Sequence, residues 1–264
     1  MKDISTLLAI MARLRDPEQG CPWDREQTFE SLIPHLLEES YEVADAVASG
    51  IDDRLCDELG DVLFQVVFFA RIAEETGKFD FAAVSNGIAD KLTRRHPHVF
   101  GDSRIESAAE QTLAWEEHKR VERQASTAMD EVPGVLDGVA LGLPALTRAV
   151  KLQRRAARVG FDWPDAGSVL DKVIEELDEV REELEDGGDP ARLQHEVGDV
   201  LLAVSNLARK LGVDPETAAH RANRRFERRF HRLETLCREQ GLTPEACSLD
   251  SLEGFWQQAK SEGL

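Results

Sequence analysis

The chain has 264 residues with 51 acidic and 32 basic side chains, a formal charge of −19. Such a surface repels nucleic acids and anionic membranes, so neither is expected as a partner. With 42% apolar and 31% charged residues the chain can bury a core and stay dissolved, and disorder throughout is not expected.

The longest apolar run, 62–70, contains Gln65 and is too short to span a bilayer. The opening MKDISTLLAIMARLRD has no long apolar region before a small-residue cleavage site, so a cytoplasmic protein is expected. Cys21, Cys56, Cys237 and Cys247 form no CxxC pair and read as reduced thiols, neither staples nor zinc ligands.

Helical periodicity dominates, with no sustained alternation of period two. The spacing predicts helices over 5–15, 28–48, 53–76, 81–95 and 106–125, then 143–158, 167–186, 190–211, 215–240 and 249–260. Pro17, Gly20 and Pro22, Gly50, Gly77, Pro97 and Gly101 punctuate the first half; Gly187, Gly188, Pro190, Gly212 and Pro215 punctuate the second.

The chain also repeats itself. GCPW at Gly20 to Trp23 returns as GFDW at Gly160 to Trp163, 140 residues later. LLEESYEVADAV (Leu36 to Val47) returns as VIEELDEVREEL (Val173 to Leu184), and DELGDVLFQVVFFAR (Asp57 to Arg71) as HEVGDVLLAVSNLAR (His195 to Arg209). KLTRR from Lys91 matches RFERR from Arg225, and WEEHK from Trp115 matches WQQAK from Trp256. All five pairs keep one order, at offsets between 134 and 141. The expected organisation is all-α, two copies of one helical bundle: 1–123, a linker at 124–142, and 143–264.

Each half carries a Glu-Glu-x-x-Glu helix followed by a Glu-x-x-Asp helix. The second half supplies Glu175, Glu176 and Glu179, then Glu196 and Asp199; the first supplies Glu38, Glu39 and Glu42, then Glu58 and Asp61. Glu176 and Glu179 project about 60° apart on one helix. Glu176 borders the apolar stripe Leu170, Val173, Ile174, Leu177, Val180 and Leu184, and Glu196 borders the stripe Leu193, Val197, Val200, Leu201, Val204 and Leu211. If the two helices pack antiparallel through these stripes, two carboxylates from each meet at the seam. Converging carboxylates need a cation to stay ionised together, and hard oxygen donors without His or Cys point to Mg²⁺, with Mn²⁺ as the alternative.

A single acidic motif of this kind is usually solvated surface. Two on successive helices, duplicated in both halves, point instead to metal binding. Gly60 and Gly198 between the acids, each costing about 1 kcal/mol in a helix, suggest close helix approach. A ferritin-like di-iron site wants Glu-x-x-His, and His195 directly before Glu196 does not supply it.

Arg221, Arg225, Arg228, Arg229 and Arg232 recur at helical spacing, Lys172 sits one turn before Glu176, and Lys260 shares a face with Trp256. Most of these arginines read as surface salt-bridge partners. A polyphosphate approaching so acidic a protein still needs local cations, and a few of them suffice. Trp256 is of a type that stacks on a base, or serves as core. No GxxxxGK[ST] loop, GxSxG elbow or Cys/His pair occurs.

RLRDPEQGCPWDREQTF, LLEESYEV, ELGDVLFQVVFFA and KLTRRHPHVF in the first half resemble the MazG family of nucleoside triphosphate pyrophosphohydrolases. So do KLQRRAARVGFDW, DKVIEELDEV, EVGDVLLAVSNLARKLG and ANRRFERRF in the second. The resemblance covers essentially the whole chain. It implies two tandem all-α MazG domains, a homodimer, and Mg²⁺-dependent hydrolysis of NTPs or dNTPs to the monophosphate and pyrophosphate, with catalysis in the second domain. Carried across by motif, it implies metal ligands Glu176, Glu179, Glu196 and Asp199, and nucleotide contacts from Lys172, Arg225, Arg229, Trp256 and Lys260. Arg225 departs from the lysine expected in an ANEKFERR-like run, which keeps the charge and changes the geometry.

Glu175 and Glu179 are both candidates to orient or deprotonate the attacking water. In the first half His35 replaces Lys172, Pro34 interrupts the helix, and His96-Pro97 cuts the arginine helix short. That half is therefore expected to be structural or dimerising. A competing reading from another class is a helical scaffold that binds nucleotide without turning it over.

Overall fold

The structure is a computed structural model that describes residues 3–50, 53–104, 107, 110–111 and 134–264. The chain divides into two compact units, Met1–Ser126 and Thr127–Leu264. Among the described residues every regular element is a helix. Most of the helix expected at 106–125, most of the linker, and Trp115 with Lys119 lie outside the described residues.

The first unit contains α1 (Ile4–Leu14), a short α2 (Pro22–Glu26), α3 (Phe29–Ser49), α4 (Asp53–Glu75), α5 (Phe81–Arg95) and a one-turn α6 (Pro97–Phe100). Side-chain caps set the starts. Asp3 accepts from the Ser5 amide, Asp80 accepts from the Ala83 amide, and Thr28 with Ser31 closes a capping box on α3. α3 and α4 form an antiparallel pair against which α1 and α5 pack. Met11, Leu32, Val67, Phe68 and Ile72 are its buried core, with Phe29, Phe64, Phe69 and Phe81 packed around them.

Pro34 does not interrupt α3, contrary to the expectation from sequence. The helix runs unbroken from Phe29 to Ser49. Pro34 lies in its second turn, so the chain forgoes one hydrogen bond near an end rather than in the middle. His96-Pro97 does end α5, at Arg95.

The second unit contains α7 (Ala145–Ala157), α8 (Ala166–Glu185), α9 (Pro190–Lys210), α10 (Pro215–Glu239), a 3₁₀ turn at Pro244–Ala246, and α11 (Leu249–Ser261). Asp165, Asp189, Asp214 and Ser248 cap α8 to α11. α8 and α9 make the most extensive helix pairing, α7 packs on α9 and α10, and α11 packs on α10. The α8–α9 reversal rests on Gly187 and Gly188, with φ of 107° and 69°, conformations that L side chains rarely adopt. Val150, Val169, Val173, Ala203, Leu233, Leu236, Cys237 and Ala259 are buried.

The seam between α8 and α9 is not the one that the apolar stripes predict. Val169, Val173, Glu176 and Glu183 are the residues α8 buries. Leu170, Ile174, Leu177 and Leu184 of the α8 stripe, and Val197, Leu201, Val204 and Leu211 of the α9 stripe, remain roughly half exposed. The α8–α9 contact therefore uses one edge of each stripe and leaves the rest as an open apolar face. The same holds for Ile33, Leu37 and Tyr41 on α3 and Leu59 and Leu63 on α4.

The glycines between the acids also behave differently from the expectation. A Cβ added at Gly60 or Gly198 would meet nothing within 4 Å. Neither marks a close helix approach within its unit.

Candidate metal and nucleotide site

In the second unit the α8–α9 hairpin brings carboxylates from two helices together. Carboxylate oxygens of Glu176, Glu179 and Glu196 lie within 4.8 Å of one another. Asp199 falls into an adjoining group with Glu196 and His195, held to the same limit. The four acids thus form two overlapping clusters that share Glu196. One helical turn separates Glu196 from Asp199 on α9, as Glu176 and Glu179 are separated on α8.

Glu176 is 7% exposed, an unusual place for a carboxylate. Lys172, one turn earlier, donates to it: the ammonium lies 3.0 Å from Glu176 Oε1 and 2.7 Å from Glu175 Oε1. Hydrogen bonds to Glu175 and Glu176 push the Lys172 pKa well above its ordinary value, so it stays charged. Glu179 is moved the other way from a typical surface acid. Desolvation, then the charges of Glu176 and Glu196, raise its pKa against the pull of Lys172. Glu179 and Glu175 also line a groove of about 460 Å³ along α8, with Asp171, Ile174, Asp178 and Glu182.

This donor set fits a hard divalent cation. It offers several carboxylate oxygens from a rigid helical pair, one of them buried and one whose pKa is raised by desolvation and then by its neighbours' charge. A cation relieves both conditions.

The residues expected to contact nucleotide fall into two sets. Lys172 stands with the acids. On α10 and α11, Arg229 places its guanidinium 5.9 Å from the centroid of the Trp256 ring, and Phe226 packs on that ring at 5.2 Å. Arg229 also donates to the Leu264 carbonyl. Arg225 and Lys260 are exposed on the same two helices. Trp256 is thus neither free stacking surface nor buried core. It is a partly buried ring backed by Phe226 and bordered by a guanidinium.

The first unit also gathers carboxylates, but at the positions that match Glu176, Glu196 and Asp199 rather than Glu176, Glu179 and Glu196. Glu39, Glu58 and Asp61 bring carboxylate oxygens within 4.8 Å. Glu39 has its pKa raised by desolvation and then by Asp61 and Glu42. Glu58 is bridged by Arg54 at 3.2 Å. Where Lys172 stands in the second unit, His35 lies 3.9 Å from Glu38 and edge-on to Trp23.

A family model for the MazG nucleotide pyrophosphohydrolase domain matches the chain twice, at 27–100 and at 166–233. The chain belongs to the MazG family. The two matched segments cover α3 to α6 and α8 to most of α10, so each contains one complete acidic hairpin; Trp256 and Lys260 lie beyond the second. The chain is 50% identical over its whole length, and over 99% of the relative's, to the nucleoside triphosphate pyrophosphohydrolase of Escherichia coli. It is 43% identical to the nucleoside triphosphate pyrophosphohydrolase/pyrophosphatase MazG of Thermotoga maritima, covering 96% of this chain and 94% of that one. It is also 39% identical to the uncharacterized protein YabN of Bacillus subtilis, over 98% of this chain and 52% of the relative.

His195, set aside from the sequence because it does not complete Glu-x-x-His, lies against the acids. Its Nδ1 lies 3.1 Å from Asp199 Oδ2 and 3.5 Å from Glu196 Oε1. The signal was present in HEVGD, where His195 and Asp199 stand at i and i+4, the spacing by which a helix presents two ligands to one ion. A search for Glu-x-x-His cannot find it.

Proposed function

We propose that the chain is a Mg²⁺-dependent nucleoside triphosphate pyrophosphohydrolase that cleaves NTPs or dNTPs between the α- and β-phosphates, with the second unit as its catalytic centre. The observation that carries this is the α8–α9 cluster of Glu176, Glu179 and Glu196, with Glu176 buried beside Lys172. The activity named for the E. coli and T. maritima relatives supports the reaction class. Glu176, Glu179, Glu196 and Asp199 would hold the metal; Mn²⁺ is the alternative ion. When bound, Mg²⁺ supplies neutralisation of the carboxylate and phosphate charges and lowers the pKa of water.

The chain's own side chains do the rest. Glu179, whose pKa is raised by desolvation and then by the neighbouring Glu176 and Glu196 charges, takes the proton from a water that attacks the α-phosphorus. Glu175 is engaged by Lys172 and positions that ammonium. The new bond joins the water oxygen to the α-phosphorus, the bond to the bridging oxygen breaks, and pyrophosphate leaves. Lys172, Arg225, Arg229 and Lys260 hold phosphate oxygens as charge moves onto the leaving group. The Trp256 ring stacks on the base.

The open apolar faces support a homodimer, since half-exposed leucines and isoleucines in contiguous rows mark an interaction surface. The first unit serves this assembly rather than turnover, since His35 stands there in place of Lys172. A cytoplasmic role in clearing unwanted nucleotides from the pool is in keeping with the activity. No helix among the described residues is long and apolar enough to cross a membrane.

The test is pyrophosphate release from a panel of NTPs and dNTPs, with and without Mg²⁺. Glu179→Gln should lower turnover by about 100-fold or more while circular dichroism stays native. Binding without turnover in the wild type, or full activity in Glu179→Gln, refutes the reading.

A further inference from the structure

The three residues that follow α11 fold back onto α10. Glu262 closes the helix, its amide donating to the Gln258 carbonyl at 3.1 Å. Gly263 then takes a φ of 84°, a left-handed conformation that L side chains rarely adopt, and its amide donates to the Lys260 carbonyl at 3.2 Å. That turn delivers the Leu264 carbonyl to Arg229, whose Nε donates to it. One turn further along α10, Arg232 grips Glu262 with two parallel bonds, Nε to Oε2 at 2.7 Å and Nη2 to Oε1 at 3.0 Å.

Arg225, Arg229 and Arg232 share one stripe of α10, at i, i+4 and i+7. Their engagements differ. Arg232 is committed to acids, to Glu262 and, through Nη1 at 3.0 Å, to Glu239. Arg229 is held at one end only. Its Nε is tied to Leu264 and its guanidinium lies 5.9 Å from the Trp256 ring centroid, while Nη1 and Nη2 make no hydrogen bond to any described residue. A long side chain fixed by a backbone acceptor and bordered by a ring has lost much of its rotamer freedom before substrate arrives. The two terminal nitrogens are a pair that phosphate oxygens can take together.

We infer that Glu262, Gly263 and Leu264 form a positioning element for the reaction: the Arg232–Glu262 pair anchors it, the Gly263 turn aims it, and the Leu264 carbonyl holds Arg229 with its terminal nitrogens presented to phosphate. The three act through Arg229. This rests on the phosphate role proposed above for Arg229 and adds the residues that orient it.

The test is a double-mutant cycle on the full chain. Gly263→Val strains the turn and should lower kcat/KM for NTP hydrolysis about tenfold while circular dichroism stays native. Gly263→Asn, a residue that accepts the left-handed conformation, should recover most of that loss. In an Arg229→Ala background Gly263→Val should lower kcat/KM no further. Apart from turnover, the ¹⁵Nε–H signal of Arg229 should exchange slowly with solvent in the wild type and faster in Gly263→Val. Unchanged or raised activity in Gly263→Val, an equal loss in the Arg229→Ala background, no recovery in Gly263→Asn, or the same exchange in both proteins overturns the inference while the role of Arg229 stands, provided that Arg229→Ala alone lowers turnover. Full turnover in Arg229→Ala, or none in the wild type, overturns both.

Discussion

Asp162 fastens the loop before α8 to the C-terminal end of α9. Its Oδ1 accepts from Arg209 at 2.5 Å and its Oδ2 lies 2.8 Å from the Lys210 ammonium. Arg209 is held in turn by the buried Asn206, whose Oδ1 accepts at 2.8 and 2.7 Å. Side chains of Asp162, Arg209 and Lys210 are only 20%, 11% and 16% exposed. Asp162→Asn keeps the shape and removes the charge, leaving two half-sheltered cations without their common partner. Breaking a fully buried pair costs about 3–5 kcal/mol, and partial solvent access reduces that to about 2 kcal/mol here.

For a unit of about 140 residues, that is about 6–8 °C in melting temperature. Hydrogen exchange at the end of α9, read beside a thermal melt of the full chain, measures it. Burial raises the Asp162 pKa, but Lys210 and Arg209 outweigh it and hold the carboxyl below its ordinary 3.8. The folded pKa is the lower one, so the stabilisation is complete above the unfolded value and disappears as pH falls through the folded one. The wild-type advantage should be constant from about pH 5 to 7 and shrink below 3.8. A loss under about 0.5 kcal/mol, or an advantage that grows in acid, refutes the account.

Gly198→Ala should stabilise the second unit by about 0.5–1 kcal/mol, since the added methyl enters open space inside a helix; a lower melting temperature would reveal a neighbour that the unit alone lacks. Leu37→Glu with Leu63→Glu, placed on the exposed faces of α3 and α4, should shift light-scattering mass from dimer to monomer without unfolding the chain. Thiol labelling under native conditions should modify exposed Cys56 rapidly and leave buried Cys237 unreacted until the unit opens.

Much of the fold is legible because Gly, Pro and Asp mark helix ends through local chemistry. Asp165, Asp189 and Asp214 cap where periodicity alone would leave a margin. The acidic cluster is legible for the same reason, since spacing on a helix is a local property. What periodicity cannot tell is which neighbour an apolar face meets. The rows Leu170–Ile174–Leu177 and Val197–Leu201–Val204 look like core, yet α8 buries Val169, Val173 and Glu176 instead. Tertiary neighbours distant in sequence are equally silent: Cys237 and Cys247 give no motif, and their sulfurs lie 3.7 Å apart. The short helices at Pro22–Glu26 and Pro97–Phe100 are too brief to show a period.

The two halves fasten the same strut with an acid from opposite sides. Arg15 pairs with Glu75 at 2.7 Å, and Arg71 reaches the same carboxylate at 2.8 Å. At matching offsets the second half has Val213 in place of Glu75 and Asp162 in place of Pro22. Arg209 therefore takes its carboxylate from the loop, while Arg155 turns to the backbone carbonyls of Asp137 and Gly138. After an ancestral duplication such a trade cannot be undone piecemeal. Recombination that replaced the loop at Asp162 with its counterpart at Pro22 would strip Arg209 and Lys210 of their acid. The two copies are thus no longer interchangeable at this loop, although they share one helical plan.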